Sequence, residues 1–245
     1  FFYVNPLESD GNHHRKPWYG TACCPSNLAR LIPSVGNYVY LAGKDEIIVN
    51  LYMGNKARIN LENVNVNLIQ KTRYPWEGTV EIGMFPSESA RFSLKLRIPG
   101  WCRSYALTIN GNESGLPLPE KGYLTINRIW KAGDLLLLRL DMPVEMAVAD
   151  DRVKENKNKR AVHRGPLVYC IEDADNKNIN FDQLFISGDT FFRTLQGEGK
   201  LSEMVILRTL VNSRELTFVP YFAWDNREPG KMKVWIDQAE QKSLY

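Results

Sequence analysis

Long apolar runs are missing from this chain. No stretch approaches the roughly 20 consecutive apolar residues that span a bilayer as a helix, so no membrane partner is expected. An excess of one charge is missing too. The formal net charge of +3 is too small to hold nucleic acid by field alone. The basic run "RVKENKNKR", Arg152 to Arg160, reads as a solvated loop and not as a binding patch. Cysteine is scarce: four in 245 residues do not make a disulfide framework. No C-x-x-C pair occurs, and no His/Glu cluster has ligand spacing, so the chain does not show a complete four-ligand metal site. There is no internal repeat. An initiator Met and a leader pattern are also missing; Phe1 begins "FFYVNPL", which reads as mid-protein sequence. A piece of a larger protein is expected, and the missing leader then carries no information about location.

What is present is β-structure. "RFSLKLRIP" puts Phe92, Leu94, Leu96 and Ile98 on one face and Ser93, Lys95 and Arg97 on the other. That period of two is the mark of a half-buried strand. "VNVNLIQ" repeats it with Val64, Val66 and Leu68 against Asn65 and Asn67. "EIIVNLYM", "TVEIGMF", "YALTIN", "YLTIN" and "DLLLLRLDM" add further strands. Asn110-Gly111 is a tight-turn signal. Strands at this spacing without helical pattern between them predict an all-β fold, an antiparallel sandwich over 41–146. The charged, turn-rich stretch from Ala149 to Arg160 reads as an inter-domain linker or a long loop. Strand patterns resume at "AVHRGPLVYCIE", "EMVILRTL", "ELTFVPYFAW" and "MKVWID". A second β-sandwich is therefore expected over 147–245. Residues 1–40 stand apart, with loop signals at Pro6, Gly11, Pro17 and Gly20. A short helix follows, with Ser26 or Asn27 as its cap and Pro33 ending or kinking it.

Within "WYGTACCPSNLARL" the two cysteines Cys23 and Cys24 are adjacent. Neighbouring cysteines close only a strained ring if they pair, so they make a poor staple. They serve better when two sulfurs must reach one centre from one short loop. A helix N-terminus favours the thiolate, and thiolates are both zinc ligands and nucleophiles. A bare pair of cysteines is also compatible with a merely structural role. His13 and His14 read as a polar loop, with metal ligation as the alternative. Cys102 and Cys170 sit in apolar sequence and are expected as buried free thiols. The tryptophans Trp18, Trp76, Trp101, Trp130, Trp224 and Trp235 are candidate sugar platforms or, alternatively, packing residues.

"YVNPLES" followed by "HRKPWYGTACCPSNLAR" resembles the C-terminal edge of the catalytic domain of glycoside hydrolase family 127, the β-L-arabinofuranosidase family. The resemblance continues through "YPWEG", "LRIPGW", "RGPLVYCIE" and "VPYFAWDNR", in the family's order and over nearly the whole chain. It implies an (α/α)6 barrel carrying the active site, of which residues 1–40 would be the last edge, followed by two β-sandwich (jelly-roll-like) domains. It implies zinc on a glutamate and three cysteines, with Cys23 as nucleophile and zinc ligand and Cys24 as second zinc ligand. The remaining ligands and the acid/base glutamate would lie upstream, so the isolated chain is expected to be inactive and to hold zinc weakly or not at all. The implied partner is a glycan substrate, met through the barrel. The alternative is a stand-alone carbohydrate-binding or structural β-sandwich module. A homo-oligomer is compatible with the sequence, and a periplasmic or secreted location is favoured over the cytoplasm. Apolar residues meant for the barrel, Phe1, Phe2, Leu28 and Leu31, are expected to lack partners.

Overall fold

The computed structural model describes residues 2–113, 115 and 118–239. Phe1 lies outside them. Contacts divide the chain into two compact units: Pro25–Met142, and Phe1–Cys24 together with Pro143–Tyr245. The first is here the middle unit and the second the split unit.

The middle unit is a sandwich of two sheets around one core. Its four-stranded sheet runs in the order Tyr123–Trp130, Ala90–Arg97, Glu46–Val49, Tyr40–Ala42. Its six-stranded sheet runs Asn55–Asn60, Asn65–Thr72, Thr79–Pro86, Asp134–Leu140, Tyr105–Ile109, Asn112–Glu113. All pairings are antiparallel except that of Glu46–Val49 with Ala90–Arg97. The alternation expected from the sequence is realised: Phe92, Leu94 and Leu96 are buried, while Arg91 and Arg97 face solvent. Val66, Leu68, Val80, Ile82, Leu136 and Leu138 meet them from the other sheet. Trp130 closes the core and satisfies its indole N–H on the Phe92 carbonyl at 3.0 Å, as a buried tryptophan must. Asn110 and Gly111 both have positive φ, 52° and 81°, and form the expected tight turn. The glycine of "YPWEG" is required by close approach: a Cβ on Gly78 would lie 1.9 Å from the Leu140 carbonyl oxygen.

The split unit is one continuous ten-stranded hydrogen-bonded network. Its main path is Phe185–Ile186, Trp235–Gln238, Lys159–Arg164, Leu167–Glu172, Arg214–Pro220, Val205–Val211, Arg193–Gln196. The strand Leu167–Glu172 buries both faces. Tyr169 and Ile171 enter one apolar cluster with Phe181 and Phe218, while Cys170 enters another with Val219, Trp224 and Met232. The strand Val144–Val148 pairs with Lys159–Arg164. The charged stretch between them is therefore a long loop inside this unit, not a linker between units, and the contact boundary falls at Met142/Pro143.

The first residues also belong to this unit. Glu8–Asp10 pairs antiparallel with Lys231–Lys233. Phe2 stacks on Trp224 with ring centroids 4.8 Å apart; its expected loss of partners is corrected, because the C-terminal unit supplies the partner. Leu28 and Leu31 are exposed, at 45% and 53%. Their helix α1 (Cys23–Ser34) begins three residues before the expected cap. Pro25 fits its first turn, where the missing N–H costs nothing. Asn27 lies inside it and accepts from Arg30 at 2.6 Å. Pro33 stands in its last turn, after which the chain tightens to a 3-10 turn over Val35–Tyr38.

Candidate active site

Three sequence motifs meet in the split unit and anchor the segment that leads to the cysteines. "HHRK" supplies His14, whose Nδ1 lies 3.2 Å from the Asp225 carboxylate, and Arg15, whose backbone N–H donates to the same carboxylate at 2.7 Å. The Arg15 guanidinium donates to the Trp224 and Phe222 carbonyls at 2.9 and 2.8 Å and lies 4.8 Å from the Phe2 ring centre. His13 also stacks on Phe2, with ring centroids 5.2 Å apart. "WDNR" supplies Asp225 and Arg227, and "LVYCIE" supplies Glu172. The Asp225 N–H donates to Glu172 at 3.1 Å, and Arg227 donates to both Glu172 and Asp175. Glu172 is 3% exposed. Burial raises its pKa, against the lowering effect of Arg227. A buried charge is tolerated only with such hydrogen-bonded partners. Both loop histidines are thus engaged in anchoring this segment.

The anchored segment places Tyr3 beside Cys23. The Tyr3 hydroxyl lies 3.8 Å from Cys23 Sγ. The tyrosine ring is held edge-on against Tyr19, with centroids 4.2 Å apart and an interplanar angle of 85°. Cys23 and Cys24 open α1. Both are exposed and unoxidised, and their sulfurs are 3.9 Å apart. Hydrogen bonds from Tyr3, then from Cys24, lower the Cys23 pKa. The same contact raises Cys24, which gives up its proton less readily than its neighbour. Desolvation and the bond to Cys23 raise Tyr3, so the hydroxyl keeps its proton and remains a donor. The pair is therefore asymmetric: one thiol is biased toward thiolate, where nucleophilicity resides, and the other supports it.

The pair also fits a zinc ion. Thiolates bind zinc at about 2.3 Å in a tetrahedron, which sets two sulfurs on one ion about 3.8 Å apart. The observed separation agrees with this. Among the described residues, no group of three or more His, Cys, Asp and Glu side chains is arranged to hold a metal ion.

The other sequence candidates are distributed elsewhere. Cys170 is fully buried, and burial drives its pKa well up. Cys102 was expected to be buried but is half-exposed and donates to the Ser104 carbonyl at 3.0 Å. It lies on a turn closed by its own N–H on Pro99, at the edge of the core. Trp130 and Trp224 are core residues, whereas Trp18 is 59% exposed. Trp101 is half-buried against Tyr74. Tyr3 was not singled out by sequence reasoning. An aromatic in an aperiodic loop carries no pattern, and only its place in "YVNPLES" marks it.

Family models match the chain in three consecutive parts. The β-L-arabinofuranosidase GH127 catalytic domain matches residues 1–37. The GH127 middle domain matches 46–142, and the glycoside hydrolase family 127 C-terminal domain matches 144–237. A non-reducing end β-L-arabinofuranosidase from Bifidobacterium longum subsp. longum is 34% identical over 96% of this chain and 41% of its own length. The crystal structure of a GH127 β-L-arabinofuranosidase from Geobacillus stearothermophilus T6 superposes with a TM-score of 0.89 at 37% identity, covering 98% of this chain and 42% of that one. A second GH127 β-arabinofuranosidase structure gives the same TM-score at 34% identity, with the same coverage. The chain thus spans about two fifths of the length of these relatives.

Proposed function

Because the chain belongs to glycoside hydrolase family 127, we propose that it forms part of a retaining glycosidase for terminal β-L-arabinofuranosides or related plant-glycan sugars, with Cys23 as the nucleophile. The observation that carries this is the asymmetric thiol pair: exposed, at the opening of α1, with the Tyr3 hydroxyl on Cys23 and Cys24 behind it. Cys23 and Cys24 would hold zinc, which when bound keeps Cys23 ionised at neutral pH.

The reaction is a double displacement. The Cys23 thiolate forms a bond to the anomeric carbon as the glycosidic C–O bond breaks. The leaving oxygen takes a proton from a carboxylic acid. Water then attacks the same carbon and the C–S bond breaks, returning the electron pair to sulfur and the water proton to the carboxylate. Two inversions give retention, as in glycosidases that use a carboxylate nucleophile. Tyr3 orients the thiolate by donating to it, and the anchored segment behind Tyr3 fixes that donor. No metal-ligating group beyond the pair joins it among the described residues. The resemblance assigns the acid/base to the remaining length of a family-sized protein. The 245-residue chain alone is expected to be inactive and to bind zinc weakly, since affinity rises steeply with ligand number.

The test is turnover of an aryl β-L-arabinofuranoside by a protein of the relatives' length. Cys23→Ser should lower kcat by at least about a thousandfold, and mass spectrometry of the quenched enzyme should find the sugar on Cys23. Full activity in Cys23→Ser, or inversion at the anomeric carbon, would overturn the assignment.

A further inference from the structure

The split unit contains a cavity that no step of the cysteine chemistry uses. It encloses 520 Å³, within the roughly 300–1,000 Å³ typical of small-molecule sites. Its polar lining is Asn178, Asn180, Gln183, Asn212 and Arg214. Its floor is apolar and belongs to the core: Leu184 is 6% exposed and Leu216 is 1% exposed. No carboxylate lines it, which disfavours a metal ion. Four side-chain amides and one guanidinium make a donor-rich wall with amide acceptors interspersed. That combination suits vicinal hydroxyls, which both donate and accept, while an apolar floor suits the C–H face of a sugar ring.

The walls are built and not incidental. The first wall comes from the loop before the 3-10 turn Phe181–Gln183. Asn176, 2% exposed, fastens this loop to the sheet. Its amide N–H groups donate to the Glu172 and Thr217 carbonyls at 2.9 Å, and its oxygen accepts from the Thr217 N–H at 2.9 Å. Asn180 caps the 3-10 turn by accepting from the Asp182 N–H at 3.1 Å, which leaves its amide N–H groups for a ligand. The second wall is the tip of the hairpin joining Val205–Val211 to Arg214–Pro220. Its two turn residues, Asn212 and Ser213, have φ of 50° and 61°, the left-handed pair that matches hairpin twist. The side chains of Asn178, Gln183, Asn212 and Arg214 are exposed and make no hydrogen bond or ion pair among the described residues.

We infer that this cavity is a carbohydrate subsite for neutral sugar units of an oligosaccharide, separate from the cysteine pair. It would hold a glycan chain on the C-terminal β-domain through amide–hydroxyl hydrogen bonds, with Arg214 as the single charged donor. The inference goes beyond the glycosidase reading and does not depend on turnover.

The experiment is a titration of the ¹⁵N-labelled 245-residue chain with L-arabinose and with an arabinan trisaccharide. Saturable shifts are expected at the side-chain amides of Asn178, Gln183 and Asn212, with a Kd on the order of millimolar for the trisaccharide. The double variant Gln183→Ala/Arg214→Ala should weaken binding at least about tenfold, while the rest of its spectrum shows the fold intact. Should that variant misfold, Gln183→Glu alone should give a several-fold loss. Cys23→Ser should leave binding unchanged, so a failed glycosidase reading and a failed subsite give different results. Silent amides up to about 100 mM sugar, shifts confined to the cysteine loop, or an equal response to inorganic phosphate would overturn the inference.

Discussion

The two units solve the burial problem differently. The middle unit separates polar from apolar along each strand and buries one face against one core. The split unit buries both faces of Leu167–Glu172 and fills two clusters. It also buries one carboxylate, Glu172, and ties it into a network with Asp175, Asp225, Arg15, His14 and Arg227 at and just below the surface. The middle unit depends mainly on packing, with isolated buried polar groups such as Asp134 and Gln70 held by local hydrogen bonds. The split unit depends on packing plus a polar knot that fastens the segment presenting the cysteine pair. The difference teaches where robustness and vulnerability lie. Losing one methyl-bearing side chain weakens a core by degrees, whereas losing one partner of a buried charge strands the other.

That contrast can be broken or sharpened by mutation. The largest effect should come from Arg227→Ala, which strands Glu172 and Asp175 and is expected to cost about 3–5 kcal/mol. Urea unfolding reads the loss, and hydrogen exchange should locate it in Leu167–Glu172. Arg227→Lys should restore little, because one ammonium cannot replace a two-pronged donor. A cost below about 1 kcal/mol would reduce the knot to surface electrostatics. Next is Leu94→Ala in the middle unit, with an expected loss of about 2–5 kcal/mol from lost transfer energy and cavity formation. Exchange protection should fall in Ala90–Arg97 and its neighbours and stay unchanged at Leu167–Glu172.

A smaller effect, about 1–2 kcal/mol near neutral pH, is expected for Asp134→Asn. Burial acts to raise the Asp134 pKa, but the Asn110 amide, the Lys131 N–H and Arg128 outweigh it and hold it below the usual carboxylate value. A lowered folded pKa stabilises above the unfolded value, and that stability is lost as pH falls through the folded one. The native chain should therefore weaken as pH drops below about 4, and Asp134→Asn should flatten that limb. An unchanged acid limb would remove Asp134 from the account. The smallest effect belongs to Leu31→Gln. Leu31 is 53% exposed on α1, so in this chain the change should stay within about 0.5 kcal/mol. A loss above 1 kcal/mol would mean the exposed face has a partner in solution.

Legibility in the sequence follows the same division. Alternation such as "RFSLKLRIP" exists because one face is wet, so most strands of the middle unit could be read, while the short or weakly patterned Tyr40–Ala42, Asn55–Asn60 and Asn112–Glu113 were not. Where both faces are buried, as in "LVYCIE", the period vanishes and only the run of apolar residues remains. The expected boundary at 146/147 cuts through Val144–Val148, because local pattern does not reveal which strand it will pair with. The pairing of Glu8–Asp10 with Lys231–Lys233 and the stacking of Phe2 on Trp224 were invisible for the same reason. At the site, the adjacent cysteines were evident from their rarity. Tyr3 was not, because its role comes from a fold-level contact with Cys23. The amide-lined cavity was hidden further still, since asparagines in loops ordinarily signal turns.

The pairing of Glu8 with Lys233 also orders events on the ribosome. The middle unit is encoded between the two parts of the split unit, and all of its strands emerge before the long loop at Ala149. It can complete its sandwich while the chain is still growing. Glu8–Asp10 cannot make its pairing with Lys231–Lys233 until that later strand has left the exit tunnel. Closing so distant a contact is slow, and incompletely paired strands are prone to associate with the wrong chain. The sheet pairing that anchors the segment leading to the cysteine pair therefore closes after the middle unit's strands have all emerged.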